Sequence, residues 1–226
     1  MSNERKTDNG QVKLLVGVGV FAALAAVVSF ATSFIKIGFL SLDMGDIVVV
    51  LASYIYGPVS GLAISLISSL CSFLYSGTGF WGFVMDFASS ATFAFAASFI
   101  YYRRKNFKFA IIGTYSAILA VVLVMMPLNI LITPLYTGTT SGDVIVMIPK
   151  LLLPFNLFKA AFNGGAVLLL YKPVAKALRG ANLVPSIPKG EKNEASKPGS
   201  YAPYSLLIGA LTVIVAVGGL VLLAIA

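Results

Sequence analysis

Long apolar runs separated by short polar or charged segments dominate the chain, the first from Val12 to Ile35 and the last from Ala202 to Ala226. Several runs approach 20 residues, enough for a helix to cross a ~30 Å hydrocarbon core, and none shows the two-residue alternation of a membrane barrel. The pattern therefore predicts an all-α integral membrane protein. One run is too short: Gly45 to Tyr56, at ~1.5 Å per residue, either reaches partway across or extends into the loop before it. Gly57-Pro58 then marks a tight turn, and further spans are expected at Val59–Tyr75, 82–102 and Phe109–Ile132. The segment Thr133–Lys150 reads as a loop leading to a sixth span.

That sixth span contains the main anomaly, LLLPFNLFKAAFNGG, residues 151–165. A lysine inside a membrane helix costs at least ~2.5–3.5 kcal/mol, so Lys159 requires a role. With Pro154 in the first helical turn, Asn156, Lys159 and Asn163 share one helical face. Other polar residues accompany them at matching depth. Asp46, Asp86, Asn129, Asn156 and Lys159 all fall in the outer half of their spans, a placement that lets them converge on one cavity open to the outside. The serines at positions 60, 65, 68, 69 and 72 are more often helix-packing groups, and Trp81 suits an interfacial anchor. In the first span, Gly19 with Ala23 and Ala22 with Ala26 have the small-xxx-small spacing that admits another helix, inside or outside the chain.

Composition agrees with the pattern: 58% hydrophobic, 11% charged and a mean hydropathy of +0.94, against ~25% charged residues in soluble domains. The net charge of +8 does not indicate nucleic acid, because its distribution is topological. Arg5, Lys6 and Lys13 precede the first span, Arg103, Arg104, Lys105 and Lys108 fill one short loop, and Lys172, Lys176 and Arg179 follow the sixth span. The positive-inside rule puts these loops and the N-terminus in the cytoplasm. The first run has no cleavage site of the signal-peptide kind. A lone Cys71 and no histidine leave no recognisable metal or redox site, and no phosphate-binding GxxxxGK[ST] occurs. The organisation expected is a tail at 1–11, a six-helix membrane domain at 12–179, a flexible linker at 180–201 and an additional helix at 202–226 that puts the C-terminus outside.

Three segments in order, LSLDMGDIVVVLASYIYGPVSGL, LNILITPLYTG and LLPFNLFKAAF, resemble the substrate-binding S components of energy-coupling factor (ECF) transporters, most closely those specific for riboflavin. The resemblance implies a six-transmembrane-helix S-component bundle, with one extra C-terminal transmembrane helix here. It implies a prokaryotic plasma-membrane protein that captures a vitamin from outside and docks on a T subunit and two ATPase subunits. It also implies flavin contacts from Asn129, Asn156 and Lys159 and from the loop segment Leu40–Ser41, with Asp43 and Asp46 ordering that loop. Asp46 and Asp86 remain further candidates for ligand contact, and Asn163 for helix packing. Gly19, Ala22, Ala23 and Ala26 correspond to the T-docking face. No cofactor is implied beyond the transported flavin. The alternatives are an S component for another vitamin, an intramembrane enzyme using Asp46 and Asp86, and a stand-alone secondary transporter.

Overall fold

The computed structural model describes residues 2–180 and 202–225. Eight α-helices follow in order among them: α1 (Ser2–Thr32), α2 (Gly45–Tyr56), α3 (Pro58–Phe73), α4 (Gly79–Arg103), α5 (Phe107–Thr137), α6 (Ser141–Met147), α7 (Leu153–Gly180) and α8 (Ala202–Ile225). Five stretches are long and apolar enough to cross a membrane: 10–32, 79–103, 107–137, 141–178 and 206–225. The linker expected at 180–201 lies, apart from Gly180, outside the described residues.

The short run resolves as a partial crossing. α2 begins at Gly45 and does not extend into the preceding loop, so its 12 residues reach only ~18 Å. Gly57 ends it at φ 106°, a conformation open to glycine and strained for other residues, and Pro58 starts α3 where a missing N–H is harmless. α2 is buried along nearly its whole length. It packs among α1, α3, α4 and α7, and Tyr54 donates its hydroxyl to the Ala110 carbonyl at 3.0 Å. An inner helix of this kind carries side chains to the bundle centre.

Two expectations change. The segment 133–150 is not an open loop: α5 continues through Pro134 to Thr137, and α6 follows behind a capping box between Thr140 and Asp143. A single π-turn, Ile148–Leu152, joins α6 to α7. The stretch before α2 also contains structure, a two-stranded hairpin of β1 (Lys36–Ile37) and β2 (Leu40–Ser41) turning at Gly38 with φ 62°. Pro154 is the second residue of α7, in the first turn as the sequence suggests.

Candidate ligand-binding site

α7 enters the bundle with Phe155, Asn156 and Lys159 turned inward. Together with Asn129 of α5, Asp86 of α4, and Leu40 and Ser41 of the hairpin, they line one cavity of about 110 Å³. A second cavity of about 210 Å³ adjoins it, sharing Phe39, Ser41, Thr78, Gly82 and Asp86. Six of the seven expected site residues thus face one space. Asp46 does not line it.

Asp46 stands behind Lys159 instead. Its Oδ2 is 3.7 Å from the Lys159 ammonium, with the side chains 4% and 13% exposed respectively. A buried ammonium without a counter-charge is strongly unfavourable, so the pair explains how the empty cavity tolerates the lysine. Asp43 and Asp86 also lie within electrostatic reach of Lys159. Asp46 thus faces the lysine, and Asp86 lines the cavity.

Each of the two carboxamides is held by the carbonyl four residues before it. Asn129 Nδ2 donates to the Met125 carbonyl at 2.7 Å and its Oδ1 accepts from Thr133 at 3.0 Å. Asn156 Nδ2 donates to the Leu152 carbonyl at 2.8 Å. Each amide group has two hydrogens, so one on each side chain stays available to a ligand after these bonds. The bonds also fix the rotamers, giving two pre-oriented donors beside an ammonium.

Asn163, one turn deeper on α7, faces the loop rather than the cavity. It is fully buried, its Nδ2 donates to the Asp43 carbonyl at 2.8 Å, and Asp46 Oδ2 lies at 3.4 Å. Asp43 in turn accepts from Ser29 Oγ and from the Gly45 amide, each at 2.7 Å. This chain of bonds fastens the start of α2, and the end of the hairpin loop, to α1 and α7.

Sequence reasoning missed the apolar walls. Phe39, Met85, Met125, Tyr136 and Phe155 line the cavity, with Phe39 and Tyr136 edge to face at 6.4 Å between centroids. In a membrane chain such residues look the same whether they meet lipid or ligand. The hydroxyls of Thr78 and Ser89 complete the lining.

The small-residue face of α1 divides. Gly19 and Ala23 are exposed and Ala26 is half-buried, but Ala22 is buried in the core with Phe21 and Ala25. Ala22 packs inside the chain and is not presented at the outer surface with the other three.

A helical membrane bundle enclosing a cavity of apolar walls with a few convergent polar groups has the build of a small-molecule binding protein. The family model described as "ECF transporter, substrate-specific component" matches residues 13–172, and the chain belongs to that family. It is a multi-pass membrane component of a transport system. Among curated proteins it is 28% identical over 187 residues to the riboflavin transporter RibU of Staphylococcus aureus (strain TCH60), covering 79% of this chain and 99% of that protein. It is 25% identical over 162 residues to the riboflavin transporter FmnP of Bacillus subtilis (strain 168), covering 66% and 85%. A solved S component of a bacterial ECF transporter superposes with a TM-score of 0.65 at 27% identity, over 75% of this chain and 99% of that one.

Proposed function

We propose that this S component binds riboflavin in the cavity between α4, α5, α7 and the hairpin. The observation that carries the reading is that Lys159, Asn156 and Asn129 line one cavity together with the apolar and aromatic side chains of Phe39, Met85, Met125, Tyr136 and Phe155. A flavin has carbonyl and imide groups along one edge of a flat ring, which suit an ammonium and two carboxamides, while the ring body suits Phe39, Tyr136 and Phe155. The names of two relatives, both riboflavin transporters, support the same ligand. Leu40 and Ser41 meet the ligand from the hairpin side. Asp86 contributes a polar wall, and Asp46 acts through Lys159.

In this reading the N-terminus is cytoplasmic, the cavity takes riboflavin from outside, and import is driven by a T subunit with two ATPase subunits. The exposed Gly19 and Ala23, with Ala26, form the close-approach part of the T-docking face on α1. Overexpression and purification test the ligand: a yellow, flavin-fluorescent preparation, or quenching when riboflavin is added to the stripped protein, is expected. A colourless preparation that quenches no flavin but binds another vitamin contradicts it.

A further inference from the structure

The family match ends at residue 172, and α8 lies beyond it. α8 returns along α7 in the opposite direction. At one end Gly209 and Gly165 bring the backbones together: a Cβ on Gly165 meets the Gly209 carbonyl and Val213, and a Cβ on Gly209 meets the Gly165 carbonyl and Leu169. Tyr115 of α5 and Thr212 of α8 are hydrogen-bonded at 2.6 Å. At the other end Gly219 packs under the Phe158 ring.

Just beyond Gly219, Leu220 closes a small cluster separate from the main core. Leu42, Phe155 and Leu220 are its buried members, and Ile37, Leu40, Met44, Phe158 and Leu223 pack against them. The cluster joins α8 to the hairpin and to α7. Two members, Leu40 and Phe155, also line the cavity that holds Lys159, Asn156 and Asn129. α8 therefore reaches the binding site from behind.

We infer that α8 is a positioning element for the binding site, with Leu220 seating the hairpin through Leu42 and so setting how firmly the hairpin closes over the cavity. Lipid chains are as apolar as leucine, so within the hydrocarbon region Leu220 gains little from the hydrophobic effect itself. Its contribution is a fixed, close-packed surface where mobile acyl chains would otherwise lie. Loss of that surface loosens the hairpin and leaves the bundle folded. The ligand part of this inference rests on the riboflavin reading, and the hairpin part does not.

The test uses the full chain in nanodiscs, with hydrogen exchange of residues 36–44 in the empty protein and the rate of riboflavin dissociation as readouts. Leu220→Ala is expected to speed exchange of that segment while α4 is unchanged, and to speed dissociation about tenfold, equivalent to ~1.4 kcal/mol. Leu220→Met is expected to restore both. Gly209→Val, which wedges α8 from α7 far from the cavity, is expected to reproduce the effect and decides the matter if Leu220→Ala does not fold. Unchanged exchange of 36–44 in the folded variants, or equal acceleration in α4, overturns the inference. Faster exchange of 36–44 in a protein that binds no riboflavin upholds the seating of the hairpin and refutes only the ligand.

Discussion

The Lys159 ammonium sits 3.7 Å from Asp46 Oδ2, joining the entrance of α7 to the first turn of α2 at the back wall of the cavity. The pair places a fixed positive charge where lipid-like surroundings would otherwise exclude one. Its energetic logic is that of buried ion pairs, in which removing one partner costs more than removing both.

Asp46→Asn is therefore expected to destabilise the empty protein by up to ~3–5 kcal/mol, and the double variant Asp46→Asn with Lys159→Met by less than Asp46→Asn alone. Thermal unfolding of the four proteins in one detergent checks this. Additive losses contradict a coupled pair.

Asn163 supports the site without lining it. Asn163→Ala removes the donor to the Asp43 carbonyl and is expected to cost ~1–3 kcal/mol, the usual penalty for stranding a buried acceptor. Asn163→Asp is expected to be worse, since it also sets a second carboxylate against Asp46. Unfolding midpoints measure both. A variant that weakens ligand affinity with no loss of stability contradicts the supporting role.

The division of the α1 face predicts two different phenotypes. Ala22→Leu overfills the core and is expected to lower stability by ~1–3 kcal/mol. Ala23→Leu leaves stability and ligand affinity unchanged and reduces co-purification with the T subunit. T-subunit recovery undiminished from the native level in both Ala23→Leu and Gly19→Leu contradicts the docking face.

How much of this was legible in the sequence follows from what the membrane makes costly. Lys159, Asn129, Asn156 and Asp86 stood out because each is expensive in hydrocarbon, and all four line one cavity. The choice between Asp46 and Asp86 as the partner of Lys159 was not legible, because shared depth does not fix which side chains point at each other. Phe39, Tyr136 and Phe155 escaped for the opposite reason: an apolar side chain costs nothing facing lipid, so the sequence does not mark the ones that face a ligand. The same degeneracy hid the phase of α1, where buried Ala22 and exposed Ala23 look alike. α6 and the hairpin were obscured by proline and glycine, which here join helices and turn strands within ordered structure.

The account's central claim is that Lys159 reads the polar edge of a bound flavin. An equilibrium titration of riboflavin fluorescence, run on the purified protein and on Lys159→Ala, tests it most directly. Saturable quenching is expected for the native chain, with affinity lowered by ~1.5–3 kcal/mol in the variant, the worth of a charged hydrogen bond. Equal affinities in two equally folded proteins would contradict it.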